Sequence, residues 1–287
     1  MKSTVYFTRD LTPAAMLRLY DALGVTLGGK VAVKLHSGEP GNQNFLRPDF
    51  MKPMIDKVGG TIVECNTAYE GGRNTTSAHK HTMDIHGWSA AAPVDIMDEE
   101  NDLELPIPNG KVIQKNFVGA HLANYDSLLV LSHFKGHPMG GFGGALKNIS
   151  IGIASSRGKQ YIHGAGDMEK FWDADHDSFL ESMADAAWSI HNRFQGKVAY
   201  LNVMKNMSVD CDCCAVAEDP KIADIGILAS LDSVALDQAC LDLVYQSDDP
   251  GKADLIARIE SLNGVHTVEA AADLGIGSRE YELVTLD

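Results

Sequence analysis

Short apolar, β-branched runs recur along the chain, each ending in a polar or glycine-bearing loop and each followed by a helical stretch. Residues 4–7 form the first such run. A helix follows from Pro13 to about Leu23, with Thr12 as N-cap and Pro13 at its first position. Residues 30–35 (KVAVKL) form the second run, followed by a helix over 48–58 that Gly59-Gly60 ends, and then a strand over 61–64. With about 30 residues per unit, this order predicts a parallel sheet with right-handed crossovers. Further strands are expected over 94–97, 126–131, 198–203, 224–230 and 281–285. Further helices are expected over 75–86, 179–194, 232–245, 252–262 and 267–274. Pro106, Pro108 and Asn109-Gly110 make residues 101–118 a hairpin appended to the sheet. The predicted fold class is α/β: a mostly parallel mixed sheet with helices on both faces, as one domain over 1–287 or as two lobes, 1–125 and 126–287.

The stretch from Leu129 to His163 carries the densest chemistry. The apolar Leu129-Val130-Leu131 runs into Ser132-His133-Phe134-Lys135-Gly136-His137. The loop Gly140-Gly141-Phe142-Gly143-Gly144 follows, then Lys147 and, sixteen residues later, His163. An apolar run ending in polar and basic groups is the carboxyl end of a buried parallel strand, the edge where open α/β sheets bind ligands. Gly140, Gly141, Gly143 and Gly144 let backbone N–H groups approach an anion, and a helix starting near Gly144 would add its positive end. His137 and His163 suit proton transfer or metal ligation, and a desolvated Lys147 suits nucleophilic attack or covalent attachment.

Charge narrows the partners. The chain carries 24 basic and 39 acidic residues, a net charge of −15, which argues against nucleic acid or an anionic membrane as the main partner. A small anionic ligand or substrate stays open, because a basic pocket can sit in an acidic protein. No apolar run reaches the roughly 18 residues of a membrane span. The segment from Met1 to Phe7 reads as a first strand, without the features of a signal peptide, so the cytoplasm is the expected compartment. There the five cysteines would not form a disulfide framework.

Three of those cysteines, Cys211, Cys213 and Cys214, lie within four residues. Thiolates bind soft metals and iron–sulfur clusters, but Cys-x-Cys-Cys is not the Cys-x2-Cys of common zinc or ferredoxin sites. The alternative is an exposed thiol loop. The loop of His36 to Asn42, with Glu39, also follows a strand and is a candidate cofactor contact; the alternative is a plain turn. On the helix over 75–86, His79 could face the same cleft, or the helix could present a solvated face. Asp232, Asp237 and Asp242 read as capping and solvent residues, with Asp232 as an N-cap.

Residues 34–40, the stretch His133-Phe134-Lys135-Gly136-His137 with Gly140 to Asn148, and the segments around Cys211 and residues 225–230 resemble the domain-of-unknown-function 362 family, often described as iron–sulfur-centre proteins. Many of its members carry a ferredoxin-like insert with several Cys-x2-Cys spacings; this sequence has none. The central stretch is also similar to one in nickel-dependent lactate racemases. There a histidine precedes a Gly-Phe-x-Gly-Gly loop, a lysine ten residues on carries a nickel-pincer nucleotide, and a histidine sixteen residues later ligates nickel. His137, Phe142, Gly143, Gly144, Lys147 and His163 reproduce that order and both spacings. The resemblance implies a lactate-racemase-like fold, with His137 in proton transfer, Lys147 as attachment point and His163 as metal ligand. A second catalytic histidine of that family precedes an arginine. The nearest match, Ser77-Ala78-His79-Lys80, has lysine instead, which cannot make the planar bidentate pair with a carboxylate.

Three functions therefore stand open. One is a metal-dependent isomerase or racemase of a small 2-hydroxy acid, with His137, His79 and Lys135 as catalytic residues and a nickel-pincer nucleotide as cofactor. Another is a redox protein with an iron–sulfur cluster or other metal on Cys211, Cys213 and Cys214. The third is a nucleotide- or anion-binding module without turnover. Any of them could be a homo-oligomer.

Overall fold

The computed structural model describes residues 2–287; Met1, which belongs to the segment expected to open the first strand, lies outside them. The strands are β1 (Ser3–Thr8), β2 (Val31–Lys34), β3 (Thr61–Glu64), β4 (Val94–Ile96), β5 (Asp102–Pro106), β6 (Lys115–Gly119), β7 (Ser127–His133), β8 (Lys135–His137), β9 (Gly141–Gly143), β10 (Val198–Met204), β11 (Gly226–Ser230) and β12 (Tyr281–Thr285). The helices are α1 (Pro13–Ala22), α2 (Pro48–Val58), α3 (Thr76–Ile85), α4 (Trp88–Ala91), α5 (Ala145–Ser150), α6 (Ser156–His163), α7 (His176–Phe194), α8 (Ser233–Gln246), α9 (Lys252–Ser261) and α10 (His266–Asp273).

Eight strands form one sheet in the order β12-β1-β11-β10-β7-β2-β3-β4. Within it, β11 runs antiparallel to both of its neighbours, and the remaining pairings are parallel. The expected mostly parallel mixed sheet is therefore the observed one, and strands from both sides of residue 125 share it.

Side chains alternate between two cores. Val33, Leu129, Leu131 and Leu201 pack with Met16, Leu19, Met51 and Ile55 of α1 and α2 on one face. Ala32, Leu128, Val130 and Tyr200 pack with Ala184, Ile190 and Leu236 of α7 and α8 on the other. Covered on both faces, β7 is buried along its whole length, which is why its sequence shows a continuous apolar run instead of alternation. The expected hairpin exists as β5 and β6, which as strands pair only with each other.

The topology fixes where a ligand can sit. From β2 the chain steps outward to β3 and β4, then returns to β7 on the other side of β2. Parallel strands diverging in this way leave a crevice beyond their carboxyl ends. Lys34, Glu64 and His133 are the last residues of β2, β3 and β7.

Candidate functional site

A cavity of about 350 Å³ opens at this crevice. Five cations reach it: Lys34, Arg73, Lys135, Lys147 and Lys159. Three of them meet a buried carboxylate. Lys34 Nζ lies 2.8 Å from Glu64, Arg73 Nε 2.8 Å from Glu39, and Lys135 Nζ 3.1 Å from Asp212. Burial alone would raise the Glu64 carboxyl, but Lys34, with His79 and Arg73, outweighs it and pulls Glu64 down to about 2. The same contest holds Asp212 well below its ordinary value through His133 and Lys135. Burial lowers Lys34 and Lys159. It would lower Lys135 as well, but Asp212 outweighs it and holds this ammonium above its ordinary value. Lys159 Nζ donates to the carbonyl of Ala154 at 2.5 Å and meets no carboxylate. Among the described residues, no hydrogen bond or ion pair engages the side-chain ammonium of Lys147, a half-buried cavity residue near the start of α5. With three of the five cations paired to carboxylates, Lys147 and Lys159 are left without an ion-pair partner among the described residues.

Backbone contacts fix the proton positions on the cavity's imidazoles. His137 Nδ1 accepts the N–H groups of Met139 (3.1 Å) and Gly140 (2.9 Å), so the neutral ring carries its proton on Nε2. His36 Nδ1 accepts from the Gly38 N–H at 3.1 Å, with the same consequence. His163 is the reverse: its Nδ1 donates to the Lys159 carbonyl at 2.7 Å, which leaves the lone pair on Nε2. Burial keeps all three rings neutral. It pushes His36 and His137 down to about 3 and His163 to about 4, and Lys147 adds to the effect on the last two. Both ring nitrogens of His133 face acceptors, Asp212 at 2.9 Å and the Lys205 carbonyl at 2.6 Å.

The cysteine loop closes the third side. The ligand atoms of His137, Cys211 and Cys213 lie within 4.8 Å of one another, a group that could hold a metal ion. Cys213 Sγ is 3.9 Å from His137 Nε2. The loop is braced from several directions. The Glu39 N–H donates to the Asp212 carbonyl (2.8 Å), Asn42 Nδ2 to the Cys214 carbonyl (2.8 Å), and Gly136 N–H to the Ser208 carbonyl (2.8 Å). A Cβ on Gly136 would lie 2.2 Å from the Val209 carbonyl oxygen, so only glycine lets β8 run this close beneath the loop.

A model of one family, Domain of unknown function (DUF362), matches residues 31–242. The chain belongs to the DUF362 family. The expectation drawn from its motifs is thus borne out. No curated protein matches it. Among solved structures, this DUF362 chain is similar to the lactate racemase apoprotein of Thermoanaerobacterium thermosaccharolyticum, with 18% identity, 69% of this chain and 50% of that chain covered, and a TM-score of 0.40. It is also similar to a protein of Thermotoga maritima, with 10% identity, 91% and 58% covered, and a TM-score of 0.44. The DUF362 chain thus spans between half and three fifths of the length of these neighbours.

Of the DUF362 chain's predicted site residues, His36, Lys135, His137, Gly143, Gly144, Lys147, His163, Cys211, Cys213 and Cys214 line the one cavity. His79, Glu39, Gly140 and Gly141 are not part of that lining. His79 is wholly buried on α3, with Nδ1 3.4 Å from the Asn66 side-chain oxygen and no partner for Nε2. Glu39 holds Arg73, and the Gly140 N–H is spent on His137. The expected anion contact at the start of α5 is overturned. Asp237 of α8 is fully buried, not a solvent residue, and its carboxylate accepts the N–H groups of Ala145 (2.8 Å) and Leu146 (2.9 Å). A Cβ on Gly144 would lie 2.3 Å from that carboxylate. Asp232 is the N-cap of α8, as expected. Sequence reading missed Lys34, Glu64, Arg73, Lys159 and Asp212 as site residues. The signal for the first two was a charge ending each of two otherwise apolar strands (VAVK and TIVE); Lys159 offered none.

Proposed function

We propose that this protein binds a small anion beside a metal or metal-bearing cofactor, and that its reaction class is the metal-assisted isomerisation of a small 2-hydroxy acid. The observation that carries this reading is the pair of lysines that meet no carboxylate, Lys147 and Lys159, in a cavity that also holds the His137, Cys211 and Cys213 group. Away from bulk water, an unpaired cation is costly unless a carboxylate or phosphate completes it.

The residues present fit a lysine-attached nickel cofactor in two respects. Lys147 offers an amine with no competing partner, and His163 offers an unprotonated Nε2 fixed by its Nδ1–H bond to a carbonyl, the usual arrangement of a metal-binding imidazole. Such a group, when bound, supplies a reversible acceptor for the hydrogen on the substrate's carbon. The chain's own residues would do the rest. Lys159 would hold the carboxylate, and His137 would present Nε2–H to the substrate oxygen. A racemase needs a group on each face of the substrate. His137 lines the cavity and His79 does not, so His79 is not placed to act on the second face, and among the other cavity imidazoles the Nε2 of His163 is reserved for the metal.

A second reading, a redox protein using a metal or iron–sulfur cluster on Cys211, Cys213 and Cys214, is favoured by the convergence of two thiols and His137. Free thiols at such a site suit a reducing compartment, in line with a cytoplasmic setting. Intact mass and elemental analysis of protein purified anaerobically from its native host separate the readings. Added mass on the Lys147 peptide with stoichiometric nickel supports the isomerase. Iron and sulfide that disappear in Cys211→Ser and Cys213→Ser support the redox protein. A metal-free, unmodified chain sinks both and leaves an anion-binding module.

A further inference from the structure

The imidazole nearest the thiols is in the wrong hydrogen-bonded state to be a ligand. A metal-binding histidine donates its other ring N–H to an acceptor, which frees the coordinating nitrogen. At His137 the other nitrogen, Nδ1, accepts two backbone N–H groups, at 2.9 and 3.1 Å. Moving the proton to Nδ1 would set three N–H groups against one another. His36, the second imidazole near Cys211, is locked the same way by the Gly38 N–H. Both rings therefore present Nε2–H toward the sulfurs. Cys211 interacts with both of them, and Cys213 with Cys211 and Cys214. Lys135 and Lys147 stand by as compensating positive charge.

We propose that the chain binds a soft, thiophilic metal ion through sulfur alone, with Cys211 and Cys213 as ligands and Cys214 as the adjacent third thiol, while His137 and His36 donate Nε2–H bonds to the metal-bound sulfurs. The ligand loop is preformed, since its carbonyls are tied to Glu39, Asn42 and Gly136 before any metal arrives. Two thiolates balance a divalent cation, and the N–H donors spread their remaining charge. Hard, oxygen-seeking ions are disfavoured because no carboxylate is free there: Asp212 is committed to His133 and Lys135. This inference rests on the second reading above, a metal on the cysteines, in which the His137 Nε2–H serves sulfur and not a substrate oxygen, and it names the ligand set that reading would use.

The test is titration of the reduced, chelator-treated full chain with Cd²⁺ under argon, read by sulfur-to-cadmium charge-transfer absorption, with circular dichroism as the check on folding. The expected result is stoichiometric binding that Cys211→Ser and Cys213→Ser each abolish. His137→Gln and His36→Gln should keep the stoichiometry, with affinity reduced by about 10- to 100-fold, the usual effect of losing a bond to a ligand. Independently of any variant, the ¹¹³Cd resonance of ¹⁵N-histidine-labelled protein should show no coupling to nitrogen. A cadmium–nitrogen coupling, or loss of stoichiometric binding in folded His137→Gln, would overturn the sulfur-only site and leave the metal reading standing. A wild-type chain that takes up no Cd²⁺ would overturn both.

Discussion

The cavity has two walls that handle charge in opposite ways. At the sheet edge, Lys34, Arg73 and Lys135 are each locked to a buried carboxylate. On the loop side, His36, His137 and His163 are kept neutral by burial, and the Lys147 ammonium meets no partner among the described residues. Breaking a buried ion pair is expensive, so the sheet-edge wall is a rigid part of the fold. The loop wall keeps its groups available. The difference teaches where to look for chemistry: among the buried groups that the fold has left unspent.

Acid should act first on the buried imidazoles, three on the loop wall and His79 outside the cavity lining, and this is the largest effect. Four buried imidazoles have folded values depressed to about 3 or 4, namely His36, His79, His137 and His163. The unfolded chain protonates them near 6.5, so the folded state binds fewer protons below that pH and stability falls as pH drops. Asp237 opposes this. Burial raises it to about 6, so between about 6 and its ordinary value the folded state binds one proton more. The net is about three protons, or roughly 4 kcal/mol per pH unit near pH 5. The sheet-edge pair resists: Glu64, lowered to about 2, loses its contribution only as pH falls from 4.5 toward 2. Denaturant midpoints at pH 7.5, 6 and 5 measure the slope, and His79→Leu should make it shallower by about one proton. A flat profile between pH 7.5 and 5 would mean that the imidazoles are not held neutral.

The next largest effect probes the sheet-edge wall. Asp212→Leu leaves Lys135 buried without its carboxylate and strips His133 of an acceptor. The expected loss is about 3–5 kcal/mol, read as a fall of roughly 10 °C in the thermal midpoint. An unchanged midpoint would mean that water already screens this pair and that the wall is not structural.

How much of the molecule was legible in its sequence divides along the same line. The fold was legible because strands and helices carry their own marks: KVAVKL, the Thr12-Pro13 start, the Gly59-Gly60 stop and the hairpin turn at Asn109-Gly110 all act locally. The loop wall was legible too, since glycines, histidines and cysteines cluster in sequence. The sheet-edge wall was not. Arg73 meets Glu39, and Lys135 meets Asp212, across long stretches of chain, and only the topology brings them together. Asp237 was misread for the same reason. Nothing near it in sequence shows that α8 delivers its carboxylate to the start of α5 and takes the N–H groups an anion could have used. His79 is buried against Asn66 and not in the cavity lining, because helical phase relative to a cleft is a tertiary property.

The smallest effect on stability should come at Lys147, and there the comparison is sharpest. With no partner to strand, Lys147→Met should shift the denaturant midpoint by no more than about 0.5 kcal/mol, against several for Asp212→Leu. Its ligand affinity should move instead. In the unmodified, cofactor-free chain, where the Lys147 ammonium is free to meet an anion, a charge-assisted bond to a carboxylate contributes about 1.5 kcal/mol or more, so calorimetric titration with lactate should show binding weakened by about tenfold or more. Lys159→Met should weaken lactate too, but it also removes the bond to the Ala154 carbonyl and so should cost some stability. If Lys147→Met destabilises the fold as strongly as Asp212→Leu while lactate binds as before, the two walls are not different in kind, and the unpaired lysine is part of the scaffold.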